Sequence, residues 1–109
     1  MTEVPLVSQH CRQPLDQPAM DLAEVHRHLN QLPGWHLVDG AIEQQFAFAD
    51  FDRTMVFVNA VADLARAEDH HPTMLVSYNR CTLRFNTHSV QGISINDFIC
   101  AAKVDALRP

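Results

Sequence analysis

The chain has 109 residues, 47% of them hydrophobic and 19% charged, with a formal net charge of −5. That length suits one domain with a real core, the acidic balance argues against non-specific nucleic-acid binding, and no apolar run approaches the roughly 20 residues of a membrane span. Three widely spaced cysteines, Cys11, Cys81 and Cys100, read as free thiols of a reducing cytoplasm, and the opening MTEVPLVSQHCRQP lacks the basic flank and apolar core of a secretory signal.

Residues 1–18 carry Pro5, Pro14 and Pro18 with no sustained period, and are expected to form an irregular arm with freedom to move. A single domain is expected over 19–109. Leu22, Val25 and Leu29 fall at helical spacing within 19–31, with Asp21 able to cap the start and Pro33-Gly34 ending the run. His26 and His28 are expected on its exposed side. Asp39-Gly40 separates the extended runs 35–38 and 41–49, a hairpin signal of the type I′ turn. In the second run Ile42, Gln44, Phe46 and Phe48 share one face.

Residues 50–68 form the clearest helix, with Asp50 as N-cap. Its expected apolar stripe is Phe51, Met55, Val58, Ala62 and Ala65, widened by Phe57, Val61 and Leu64. A second hairpin is expected from 73–78 and 81–88 across Asn79-Arg80. Its second strand alternates: Cys81, Leu83, Phe85 and Thr87 face one way, and Thr82, Arg84, Asn86 and His88 the other. Residues 94–107 make the last helix, opened by the S-x-x-D signal of Ser94 and Asp97. The order α-β-β-α-β-β-α implies the α+β class: one four-stranded antiparallel sheet with three helices packed on one face. The outer sheet face, carrying Arg84 and His88, is then a binding surface or a subunit contact.

Seven histidines are present, and three of them, His70, His71 and His88, are candidates for chemistry. His70 and His71 stand at a helix-to-strand corner before Pro72. With the turn at Asn79-Arg80, pairing outward brings Thr87 and His88 near Pro72 and His71, so the imidazoles converge at one end of the hairpin. Three readings of the cluster compete. The first is three unrelated surface histidines. The second is an open zinc site, although adjacent histidines are awkward joint ligands and no H-x-x-x-H or C-x-x-C pattern is present. The third is cofactor-free proton transfer, for which imidazole suits neutral pH. No nucleophile has an evident base beside it, and the three glycines, Gly34, Gly40 and Gly92, all lie in turns, leaving no phosphate-binding loop.

The run HHP, Tyr78 after five residues, His88 after nine more and Asp97 after eight more resembles the signature of the pterin-4a-carbinolamine dehydratases. The flanking HHPTMLVSYNRCTLRFNTHSVQGISINDF, the preceding GW…DG…F…F and the long amphipathic helix are in the same style, so the resemblance spans about residues 20–107. It implies the α+β fold, a homodimer or homotetramer built through the sheet, and dehydration of a 4a-hydroxytetrahydropterin to the quinonoid dihydropterin. It implies no metal and no cofactor beyond the pterin substrate, and a functional link to a phenylalanine hydroxylase whose pterin is recycled.

The family's three histidines correspond to His70, His71 and His88. His70 is then the leading acid/base group, His88 its partner and His71 a binding residue able to share proton transfer. Trp35 either walls the pterin pocket or anchors the core. Asp97 is a structural or orienting residue, since a carboxylate there also supports the helix N-terminus. The family's usual acidic position, four before the first histidine, is Arg66 here; Glu68 or Asp69 would have to substitute for it. The resemblance also allows a dimeric binding or assembly protein, as in relatives that act as transcription-factor dimerisation cofactors.

Overall fold

The computed structural model describes residues 4–13 and 18–107; residues 1–3 and 14–17 of the expected arm, and the last two residues, lie outside that description. The elements are α1 (Leu22–Leu29), β1 (His36–Val38), β2 (Ala41–Ala47), α2 (Phe51–Glu68), β3 (Thr73–Val76), β4 (Arg80–Phe85) and α3 (Ile95–Ala106), with single 3-10 turns at Leu6–Ser8 and His88–Val90. The α+β class and the order α-β-β-α-β-β-α are as the sequence implies. The sheet is antiparallel throughout, in the order β1-β2-β4-β3.

Local chemistry accounts for most boundaries. Asp21 accepts from Glu24 N (2.8 Å) while Glu24 Oε1 accepts from Asp21 N (3.4 Å), a reciprocal cap that starts α1 later than the apolar spacing alone suggests. Leu22 is 60% exposed, so α1 presents a narrower apolar face than expected, centred on Val25. His28 is half-buried rather than exposed, stacked on Phe98 with ring centroids 4.9 Å apart. Asp39 and Gly40 both take positive φ (47° and 79°), as the tight hairpin between β1 and β2 requires.

Asp50 caps α2 by accepting from Arg53 N at 2.8 Å. The buried line of α2 runs through Thr54, Phe57, Val61 and Ala65, rotated from the expected stripe, and Phe51 is left exposed. Thr54 can sit on that line because its hydroxyl donates to Asp50 O at 2.9 Å, with Tyr78 O at 3.1 Å. Ile42, Phe46, Leu83 and Phe85 on the inner sheet face close on Val25, Val61, Phe98 and Val104 of the helices, which therefore lie on one side.

The second hairpin turns two residues earlier in its pairing than expected. Ser77 N donates to Arg80 O (2.9 Å), the turn is Tyr78-Asn79, and Val76 pairs with Cys81 and Thr73 with Arg84. Neither turn residue has positive φ. Thr54 below Tyr78 O, and Phe48 N donating to Asn79 O (2.8 Å), fix the turn from the neighbouring elements. Because the slip is even, every β4 side chain keeps its face: Cys81, Leu83 and Phe85 are buried, as is Thr87 just beyond the strand. What changes is the level of the partners. Continuing the observed pairing sets His70, not Pro72, opposite Thr87. His88 has left the strand for the 3-10 turn and does not join Arg84 on the outer face.

The corner after α2 is a backbone device. Asp69 is left-handed (φ 50°, ψ 43°), His70 N donates to Ala65 O (3.2 Å) and Asp69 N to Arg66 O (3.4 Å). These two bonds are the Schellman pattern that ends a helix and turns the next residue back across its last turn. Aspartate tolerates this conformation; a β-branched side chain does not. Asp69→Val is therefore expected to lower stability by about 1–3 kcal/mol in urea denaturation, and Asp69→Gly to leave it unchanged or slightly raised.

Candidate active site

The helix-end turn brings His70 inward, where it is 7% exposed. Its ring lies nearly parallel to Phe85 (centroids 6.1 Å apart, 9° between planes), and its Nε2 is 2.7 Å from Asp97 Oδ1. Asp97 has no solvent exposure. Its second oxygen accepts from Thr87 Oγ1 (2.8 Å) and Ser94 N (2.9 Å). Thr87 Oγ1 and Ser94 Oγ are 2.6 Å apart, and Asn96 N donates to Ser94 Oγ at 3.2 Å. One assignment of protons satisfies the chain: Asn96 N–H to Ser94, Ser94 O–H to Thr87, Thr87 O–H to Asp97. Against an ionised Asp97, Nε2 of His70 must carry a proton, which leaves Nδ1 as the ring's free lone pair when the imidazole is neutral.

A cleft of about 450 Å³ opens on this couple. His70, His71 and His88 all line it, together with Asp69, Asn86 and the arm residue Gln13. His71 and His88 are exposed, so the cleft holds one buried imidazole fixed by a carboxylate and two that meet solvent. Among the described residues, no three His, Cys, Asp or Glu side chains are grouped to hold a metal ion. The thiols do not serve the cleft. Cys100 is pushed far up by its contact with Cys11 and by burial, and Cys81 is pushed up by burial.

Of the other candidates, only Asp69 is at the cleft. Trp35 is buried in the core against Phe46 and Phe85, its Nε1 donating to the Asp105 carboxylate (3.2 Å to each oxygen), and it does not line the histidine cleft. Arg66 points outward and pairs with Asp63. Glu68 turns away from the histidines toward the arm: Oε1 accepts from Cys11 N (2.7 Å) and Oε2 from His10 Nδ1 (2.8 Å), with Lys103 Nζ at 3.9 Å. Asp69 lines the cleft and shapes its corner. The carboxylate that meets His70 is thus Asp97, reached through the fold and not through α2. Sequence reasoning does not single out Thr87, Ser94 or Gln13 as site residues. A threonine at the end of an otherwise apolar buried face is the signal for Thr87, and the S-x-x-D pair is the signal for Ser94.

Fold and site together define a small α+β protein with a polar cleft lined by a buried, carboxylate-held histidine and two exposed imidazoles. The profile of the family described as pterin 4 alpha carbinolamine dehydratase matches residues 18–107, and the chain belongs to that family of hydro-lyases. A Nitrosomonas eutropha protein is 50% identical over 91 residues, covering 83% of this chain and 80% of its own length. A Xanthomonas campestris pv. campestris protein is 47% identical over 108 residues, covering 95% of this chain and 91% of its own. Both carry the provisional name pterin-4-alpha-carbinolamine dehydratase. A Brucella melitensis crystal structure, titled a transcriptional coactivator/pterin dehydratase, superposes with a TM-score of 0.77 at 34% identity, over 81% of this chain and 96% of that one. No helix among the described residues is long and apolar enough to cross a membrane.

The arm contact has a pH signature. Burial works to raise the Glu68 pKa, but the Cys11 amide, His10 and Lys103 together outweigh it and hold the carboxyl below its ordinary value of 4.5. A depressed carboxyl stabilises the docked arm fully above the ordinary value and loses that contribution as pH falls through the lowered one. The Cys11 amide resonance is expected to titrate with a midpoint below 4.5, and Glu68→Gln to abolish that titration. Thr87→Val removes a donor from buried Asp97, and is expected to cost about 1–3 kcal/mol in thermal denaturation.

Proposed function

We propose that this protein dehydrates 4a-hydroxytetrahydropterin to quinonoid dihydropterin by histidine acid–base catalysis, recycling the pterin cofactor of an aromatic amino acid hydroxylase such as phenylalanine hydroxylase. The observation that carries the reading is the buried Asp97–His70 couple at the floor of a cleft shared with His71 and His88. The reaction breaks the C4a–O bond and forms a C4a=N5 double bond. A proton must reach the departing hydroxyl, which leaves as water, and another must leave N5. One positioned imidazole can donate the first proton and another accept the second, with no net redox change. His70, with Nε2 bound to Asp97, offers Nδ1 as the base. His88, which lines the same cleft, is its acid partner, and His71 binds the heterocycle and can share the transfer.

The enzyme acts in the cytoplasm, as a homodimer or homotetramer formed through the sheet. Support for the assembly is the edge strand β3, where Leu75 is 71% exposed and, among the described residues, one backbone edge has no partner strand in the order β1-β2-β4-β3. A second reading, a binding or assembly protein with weak catalysis, is favoured by the coactivator title of the Brucella structure.

The test is the decay of enzymatically generated 4a-carbinolamine tetrahydropterin, followed by absorbance. Wild-type protein is expected to accelerate it. His70→Ala is expected to lose about 100-fold or more in kcat while remaining folded, the range for removal of a general acid or base. Folded wild-type protein that leaves the decay unchanged would overturn the dehydratase reading in favour of the second one.

A further inference from the structure

Residues 4–13 lie before the part of the chain that the family profile covers, yet the protein uses buried polar groups to hold them. Asn96 has no solvent exposure, and it gives both ends of its carboxamide to the arm: Oδ1 accepts from Arg12 N and Nδ2 donates to Arg12 O, each at 2.9 Å. Glu68 holds the preceding amide, Cys11 N, at 2.7 Å. Cys11 Sγ rests 3.4 Å from Cys100 Sγ on α3, and Lys103 Nζ donates to Val7 O at 2.9 Å. A buried carboxamide and a nearly buried carboxylate committed to three backbone groups of Cys11 and Arg12 fix the position of the next residue. That residue is Gln13.

Gln13 lines the histidine cleft. Its Nε2 donates to Asp69 O at 2.8 Å, across the mouth of the corner that carries His70 and His71. This bond fixes the carboxamide's orientation: the amide nitrogen faces the corner, and Oε1 is the group left as an acceptor for a ligand. The imidazoles supply proton chemistry, but a pterin also presents a flat edge of N–H and NH₂ donors that a site must satisfy on desolvation.

From this geometry we propose that Gln13 is a substrate-binding residue, its Oε1 accepting a hydrogen bond from the N–H edge of the heterocycle, with the docked arm completing the cleft. The inference rests on the dehydratase reading for its choice of ligand. Gln13 does not touch the reacting C4a–O bond in this assignment, so it contributes to affinity and not to the proton transfers.

The test measures binding of a non-reacting dihydropterin by fluorescence quenching, alongside KM and kcat for the carbinolamine, in wild type, Gln13→Ala and Gln13→Glu. One hydrogen bond lost predicts Kd and KM raised about 3- to 10-fold in Gln13→Ala, with kcat within about twofold of wild type. Gln13→Glu keeps the acceptor and loses the donor to Asp69 O, so it is expected to retain most of the affinity. Equal weakening in both variants would reduce Gln13 to a tether for the corner and overturn the proposal. Unchanged Kd in Gln13→Ala, or a loss confined to kcat, would overturn it too. Wild-type protein that binds dihydropterin without turnover would sink the dehydratase reading while the Kd comparison still decides the role of Gln13. Wild-type protein that does not bind it would overturn both.

Discussion

A carboxylate with no access to water must find all its hydrogen bonds inside the protein, and Asp97 draws its partners from three separate stretches of chain. His70 comes from the end of α2, Thr87 from the end of β4, and the Ser94 amide from the start of its own helix. Leaving any one of these groups unpaired would cost on the order of 1–3 kcal/mol, so the carboxylate constrains where all three stretches meet. The hairpin register, the left-handed helix end and the cap of α3 are the local means by which they arrive there together.

The same constraint ties structure to chemistry. Asp97 serves as the N3 member of a capping box and as the acceptor for His70. A residue that only capped the helix would be solvated at little cost, whereas this one has its other oxygen occupied by a histidine. The hydroxyl relay through Thr87 and Ser94 leaves no lone proton to choose between alternatives, so the imidazole is held in one orientation. Preorganisation of that kind is what the proposed base needs in order to meet a flat heterocycle without first rearranging. Arg66, at the position where the family usually has an acid, lies on the solvent side of α2 and is neutralised locally by Asp63.

The arm shows how a segment with no periodicity can still be ordered. Leu6 and Cys11 pack against the core, but they follow no helical or strand period, so nothing local predicts a fixed path. The rest of its order comes from side chains elsewhere: Glu68 at the end of α2 and Asn96 in the first turn of α3 supply acceptors and a donor for its backbone. Glu68 illustrates the reverse problem. Its place beside two histidines suggests an orienting acid, but a residue one position before a left-handed helix end points away from the histidines that come after the turn.

Helices, strands, the Asp39-Gly40 turn and the three helix N-caps were legible because each depends on neighbours within a few residues: apolar period, a capping side chain, or a backbone that tolerates positive φ. The alternation of β4 was legible for the same reason, and it survived an even shift in register. The three imidazoles were brought to attention by their spacing and by resemblance. Tertiary structure alone decided that His88 leaves the strand, that His70 and not His71 is buried, that Trp35 belongs to the core with Asp105, and that Asp97 meets His70 while Glu68 meets the arm. These outcomes depend on which distant groups compete for a buried hydrogen bond, and the sum of such competitions has no local trace in the order of residues.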